Sequence, residues 1–261
     1  MNFLSLFSGI GGLDLGLERS GMTCIGQVEI NPFCRRVLAK RWPNVRRFED
    51  VRTVTAKDFE NERIDLIAGG FPCQDISSSG KKVGITGHKS GLWLEFLRLI
   101  RDIRPRFVLV ENVAALLGRG LGDVLGGLAA SGFDAEWETL PAGLFGAPHL
   151  RSRTFVVGYS DRYRKSDGSL NDEASWLPPL VANAEHAFRE QLGEMGRAWG
   201  KRESVPWNAN GECTDPTMAV RMDDGDANRM DRLSGIGNAV VPQVAEWIGR
   251  RIMEAEEPPC R

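Results

Sequence analysis

A cysteine, a glutamate and two arginines stand at the margins of three apolar runs in this sequence. Cys73 follows Gly69-Gly70-Phe71-Pro72, which closes the run 64–68. Glu111 follows the run 107–110 and leads into Asn112-Val113, and Arg151 and Arg153 flank Ser152 ahead of the run 154–157. A short apolar run closed by Gly-Gly-x-Pro reads as a buried strand ending in a turn. Residues just beyond such strands lie at the carboxyl edge of a sheet, where open α/β folds hold their ligands and loops carry the chemistry. A lone free cysteine is more often a small core residue than a nucleophile. With a carboxylate and two guanidiniums placed in the same way, it belongs to a catalytic constellation.

Alternating elements must bring these residues together. Strands are expected at residues 3–7, 23–28, 64–69, 107–110, 136–140 and 154–158, and helices at 12–20, 32–41, 92–103 and 121–130. Leu92, Phe96, Leu99, Ile100 and Ile103 share one helical face. Alternation of this kind predicts an α/β fold, a doubly wound and mostly parallel sheet covered on both sides. The division expected is a catalytic and cofactor-binding core over 1–158, a small inserted loop-rich recognition module over 159–232, and a C-terminal segment over 233–261. In 159–232 the apolar runs vanish and Pro, Gly, Asn and Trp punctuate an acidic stretch. After Pro242, the spacing of Val244, Trp247, Ile248 and Ile252 predicts a helix that returns to the core.

The first strand runs into Phe7-Ser8-Gly9-Ile10-Gly11-Gly12-Leu13-Asp14. Glycines at a strand-to-helix turn let backbone approach a ligand closely. The dinucleotide fingerprint fails because Asp14 stands where its third glycine would fall, which argues against a nicotinamide oxidoreductase. Glu29 ends the second strand where this topology usually holds a ribose diol, and Asp50-Val51 is placed to meet an adenine. The combination suits an adenosine-bearing cofactor without a pyrophosphate, of which S-adenosylmethionine is the commonest.

A chain of 261 residues, 42% hydrophobic and 26% charged, can bury one sizeable core. Five cysteines without a C-x-x-C pair argue against a disulfide framework or zinc site and for a reducing cytoplasm. The three histidines are too scattered in sequence to suggest a metal, and none is expected. No apolar run approaches the about eighteen residues of a membrane span, and the N-terminus lacks a basic leader. With a net charge of −2, any phosphate-binding surface must come from clusters such as Arg35, Arg36, Lys40, Arg41, Arg46 and Arg47, or Lys81, Lys82 and Lys89.

Phe7 to Gly12, Gly70-Phe71-Pro72-Cys73-Gln74, Glu111-Asn112-Val113, residues 145–153 and Gly237-Asn238-Ala239-Val240-Val241-Pro242-Gln243 resemble the ordered motif set of DNA (cytosine-5-)-methyltransferases, in the compact form found in phages and prophages. The resemblance implies a Rossmann-like methyltransferase fold with S-adenosyl-L-methionine as cofactor and duplex DNA as substrate. It makes Cys73 the nucleophile toward carbon 6 of cytosine and gives ring nitrogen 3 to Glu111. Arg153 would contact the carbonyl oxygen at position 2, and Arg151 would help position the thiolate and a nearby phosphate. The cofactor site maps onto Phe7, Ile10, Gly12, Glu29, Ile30, Asp50, Val51, Pro72, Leu92 and Asn238. A base paired in a duplex cannot reach a sheet-edge thiol, so the target must be flipped out. Residues 76–90 are expected to close over it, with Gln74, Ser77, Lys81, Lys82 and Lys89 at the DNA. His149 stands where the family often carries Gln, which opens the contact made there. The chain is expected to act as a monomer, with a cognate restriction endonuclease as the one protein that would share its site. Two other readings are an RNA cytosine-5 methyltransferase acting on tRNA, disfavoured by Pro-Cys-Gln, and a catalytically idle DNA-binding regulator.

Overall fold

The computed structural model describes residues 1–72, 91–147, 151–160 and 239–255. Its sheet contains β1 (Asn2–Leu6), β2 (Thr23–Val28), β3 (Arg46–Phe48), β4 (Leu66–Gly69), β5 (Phe107–Val113), β6 (Phe133–Pro141) and β7 (Ser152–Ser160). The helices are α1 (Gly12–Arg19), α2 (Pro32–Arg41), α3 (Leu92–Ile103), α4 (Leu116–Arg119), α5 (Leu121–Ala129) and α6 (Pro242–Glu254). Among these residues the seven strands lie in the order β3-β2-β1-β4-β5-β7-β6. The first five are parallel, and β7 runs antiparallel between β5 and β6. This is the mostly parallel, doubly wound architecture expected.

The central strands read as apolar runs because both their faces are covered. Side chains alternate along each strand. Leu4, Leu6, Ile67, Val108 and Val110 pack under Trp93, Phe96 and Ile100 of α3 and Val124 and Leu128 of α5. Phe3, Leu66, Ala68, Phe107 and Leu109 meet Leu13 and Leu17 of α1 and Val244, Trp247 and Ile248 of α6 on the other face. Pro242 opens α6 and its apolar face does return to the core. The crossing of α1 and α6 depends on small residues. A Cβ on Gly16 would overlap the Pro242 carbonyl oxygen and lie 2.5 Å from Ala245 Cβ.

Chain order makes the strand sequence reverse between β1 and β4. At such a switch point the loops leaving the carboxyl ends diverge and open a crevice. The glycine loop leaves β1, Glu29 leaves β2, and Gly70-Phe71-Pro72 leaves β4 at this edge.

The departures from expectation have local causes. β3 escaped notice because Arg-Arg-Phe carries no apolar pattern, and as an edge strand it needs little. β6 is nine residues long rather than five, because Phe133-Asp134-Ala135 ahead of the expected strand carries no apolar run and, at the other edge of the sheet, needs none. β5 and β7 extend past their apolar runs, so Glu111 and Arg153 lie inside strands rather than beyond them. Cys73, Gln74, Ser77, Lys81, Lys82, Lys89 and Asn238 lie outside the described residues, as does 161–238, which holds nearly all of the expected recognition module.

Candidate active site

The antiparallel ladder of β5 and β7 builds the polar end of the site. Glu111 lies opposite Phe155, and Val113 opposite Arg153. Glu111 and Arg153 are therefore diagonal neighbours on one face of the sheet, within reach for long side chains. Arg153 Nε stands 3.0 Å from Glu111 Oε1, and its Nη1 donates to the Ser152 carbonyl at 2.9 Å. Glu111 is 8% exposed. Burial pushes its carboxyl above the usual range, and the nearby Arg153 and Arg151 only partly oppose that rise. A carboxyl shifted in this direction keeps its proton more readily than a free glutamate, as a general acid must.

Two further residues hold the end of β4 and the Phe71 peptide against this carboxylate. A Cβ on Gly70 would overlap Glu111 Oε2, so the glycine lets the end of β4 lie against the acid without displacing its carboxylate. Buried Asn112 donates from Nδ2 to the Phe71 carbonyl at 3.2 Å, tying β5 to the peptide two residues before Cys73. Both residues stand in motifs quoted from the sequence, but spacing alone gave neither a role. Phe71 anchors the turn from below by packing 5.4 Å from Trp93 between ring centroids. Pro72 is half-buried at the edge.

The glycine loop turns through left-handed backbone at Phe7 (φ +54°), Gly9 (φ +56°) and Gly11 (φ +83°). Glu29 spans it. Oε2 accepts from Gly9 N–H at 2.7 Å and Oε1 from Asn31 N–H at 2.7 Å. A carboxylate has about four acceptor directions, so two remain for hydroxyl donors. A Cβ at Gly9 would meet nothing within 4 Å, and beyond Glu29 the Ile30 side chain is 67% exposed. Open space, a fixed carboxylate and an uncovered apolar side chain are what a ribose and its base would occupy. Phe7 is stacked on Phe96 with centroids 6.4 Å apart, and Leu92 is half-buried on the same core cluster. Ile10 and Gly12 complete the loop, and the Gly12 Cα faces the Val240 carbonyl too closely for a Cβ.

Asp50 is less available than expected. Its carboxylate accepts from Arg52 N–H at 3.0 Å and from Arg52 Nη2 at 2.6 Å, and these bonds hold it below the usual carboxylate range. Val51 beside it is buried. Arg35, which the sequence places only in a basic cluster, braces the backbone beside Glu29. Its Nη1 donates to the Glu29 and Ile30 carbonyls at 3.1 and 2.7 Å, and its Nη2 pairs with Glu49 at 2.9 Å. Arg46 and Arg47 also bond backbone carbonyls, so this cluster braces the β2–β3 edge. A cavity of about 480 Å³ lined by Ile64, Asp102, Arg104 and Arg106 opens at the opposite edge and takes no part. Among the described residues no three of His, Cys, Asp and Glu gather as metal ligands, and no helix is long and apolar enough to cross a membrane.

The fold is the Rossmann-like one of the S-adenosyl-L-methionine-dependent methyltransferases. Residues 1–205 match the profile of the C-5 cytosine-specific DNA methylases, and the chain belongs to that family of DNA cytosine-5-methyltransferases. It is 30% identical to Type II methyltransferase M2.BsuMI of Bacillus subtilis, over 97% of this chain and 76% of that protein. It is 31% identical to Type II methyltransferase M.HgiCII of Herpetosiphon aurantiacus over 79% of this chain, which spans about half (49%) of that longer relative. A solved structure described as a DNA modification methyltransferase encoded within an Escherichia coli prophage shares the fold. It has a TM-score of 0.65 at 20% identity and covers 98% of this chain and 99% of its own.

Proposed function

We propose that the chain methylates carbon 5 of a cytosine in a specific duplex DNA sequence, through a covalent Cys73 adduct on a base flipped out of the helix. The observation that carries this reading is the buried Glu111–Arg153 pair, packed on Gly70 and bonded through Asn112 to the turn that leads into Cys73.

Carbon 5 of cytosine is a poor nucleophile. Cys73 thiolate adds to carbon 6, forming the S–C6 bond and pushing electrons into the ring as an enamine. Glu111 holds the proton that ring nitrogen 3 needs as that charge arrives, and its raised pKa suits the task. Arg153 orients Glu111 and meets the carbonyl oxygen at position 2, while Arg151 lowers the cost of charge near the thiolate and phosphate. When bound, S-adenosylmethionine supplies the electrophilic methyl that carbon 5 takes. Loss of the carbon 5 proton to a base then breaks the S–C6 bond and frees Cys73.

Glu29 would accept from the ribose hydroxyls, Asp50 would meet the adenine amine, and Phe7, Ile10, Gly12, Ile30, Val51, Pro72, Leu92 and Asn238 would line the cofactor. Gln74, Ser77, Lys81, Lys82 and Lys89 would contact the DNA. We infer a monomer working in the cytoplasm. The Type II names of the relatives favour a modification role beside a restriction endonuclease of the same specificity.

Duplex DNA carrying 5-fluorocytosine tests the covalent step, because fluorine at carbon 5 cannot leave as a proton does. A protein–DNA adduct that survives denaturing electrophoresis and disappears in Cys73→Ala is expected. Methylation of ordinary DNA without any such adduct would remove Cys73 from this role.

A further inference from the structure

Beneath the glycine loop lies a buried polar chain that the chemistry above does not use. Asp14 is 0% exposed on the first turn of α1. Its Oδ2 accepts from Ser5 Oγ at 2.9 Å and its Oδ1 from Gln27 Nε2 at 2.8 Å, with Cys24 Sγ at 3.9 Å. Ser8 Oγ continues the chain, 2.9 Å from Ser5 Oγ and 3.2 Å from the Ser5 carbonyl. Ser8 N–H donates to the Val28 carbonyl at 3.0 Å. Ser5, Ser8 and Gln27 are each at most 8% exposed. One carboxyl thus joins β1, the loop, α1 and β2, the elements whose ends frame the cofactor crevice.

An acid buried without a cation is a poor choice for stability alone, since apolar packing in its place is often neutral or better. Among the described residues no cation pairs with Asp14, and burial pushes its carboxyl up to about 6. Gln27 Oε1 is also buried with no partner among them. The strained residue stands between the two serines. Phe7 holds φ +54°, a left-handed conformation that a bulky side chain keeps only where its surroundings over-determine it. Ser5 and Ser8 are fixed on either side of Phe7, and Gly9 is fixed beyond it by Glu29.

We propose that Asp14 is a positioning residue for the cofactor loop: acting through Ser5 and Ser8, it fixes the turn at Phe7 and so sets affinity for S-adenosylmethionine without touching it. This rests on the reading of the loop as the cofactor site. The chain predicts a graded set of variants. Asp14→Ala removes the hub, and Ser8→Ala keeps the hub but cuts its link to the loop. Asp14→Asn keeps both, because Asn Oδ1 can accept from Ser5 while its amide donates to a rotated Gln27 Oε1.

Calorimetric titration of S-adenosylmethionine into wild type and the three variants, with thermal unfolding and steady-state methylation kinetics, tests the proposal. Asp14→Ala and Ser8→Ala should fold and bind about tenfold more weakly, the loss of one buried hydrogen bond. Their kcat at saturating cofactor should stay within about twofold, and Asp14→Asn should recover affinity to within about threefold. Folded Asp14→Ala or Ser8→Ala with wild-type affinity, or a fall confined to kcat, would overturn the proposal. A merely structural Asp14 would lower the melting temperature and leave the Kd of the folded protein unchanged. Failure of the wild type to bind S-adenosylmethionine would instead sink the cofactor-site reading, and the proposal with it.

Discussion

Glu111 is pulled in two directions, and the balance decides what it can do. Burial favours its neutral form, whereas Arg153 and Arg151 favour the carboxylate. Burial prevails, so the acid retains its proton to higher pH than a free glutamate. Glu111→Gln preserves shape and removes the exchangeable proton. The methylation rate should fall about 10²-fold or more, the usual worth of a general acid, while DNA affinity holds. Single-turnover kinetics and a gel-shift titration together would check this. Asp14 gives a thermodynamic counterpart. Its folded pKa of about 6 lies above the ordinary 3.8, so its contribution to stability is complete below about pH 4 and is lost as pH rises through 6. Asp14→Asn lacks that loss. Urea unfolding should show Asp14→Asn gaining on wild type between pH 4 and 6, by on the order of 3 kcal/mol, with no further change above about 7. At this scale Cys73, Glu111 and the arginines stood out in the sequence because reactive side chains bordering apolar runs are conspicuous, and the structure brings Glu111 and Arg153 together. The sequence concealed Asn112 and Gly70, whose contacts with Phe71 and Glu111 appear only when strands about 40 residues apart in sequence lie side by side, and Arg35, whose bonds are to nearby backbone carbonyls.

Elements position the site through close approach. Gly70 is glycine because β4 ends against Glu111. Gly70→Ala should displace the carboxylate and reduce methylation by at least about tenfold while thermal unfolding shifts little, since the new methyl meets a movable side-chain end. At the crossing of α1 and α6, by contrast, the obstacle facing Gly16 is backbone. Gly16→Val should destabilise the fold by about 2 kcal/mol or more through overpacking, readable as a lower urea midpoint at unchanged slope. Most elements were legible because buried parallel strands are continuously apolar and amphipathic helices keep their period, as α3 and α6 do. The edge strands β3 and β6 were missed or shortened for the same reason reversed: one open side relaxes the need for apolar residues. The extension of β5 and β7 into polar residues was equally hidden, because the site itself imposes those residues on the strand.

For the whole molecule, a net charge of −2 places the burden of meeting DNA on local clusters. The cluster at Arg35, Arg46 and Arg47 is occupied in bracing the β2–β3 edge, which leaves Lys81, Lys82 and Lys89 as the nearest basic group to Cys73 in sequence. Replacing all three lysines with glutamine should weaken DNA binding and flatten the plot of log K against log salt by up to about 3, with S-adenosylmethionine affinity unchanged. Fluorescence anisotropy across a salt series would read both effects. The central claim is tested most directly by transfer of a labelled methyl group from S-adenosylmethionine to mixed-sequence duplex DNA, followed by bisulfite sequencing, for wild type and Cys73→Ala. The account predicts 5-methylcytosine in one short sequence context, absent with Cys73→Ala. Folded protein that binds S-adenosylmethionine yet labels tRNA and not DNA, or that methylates DNA equally well without Cys73, would contradict it.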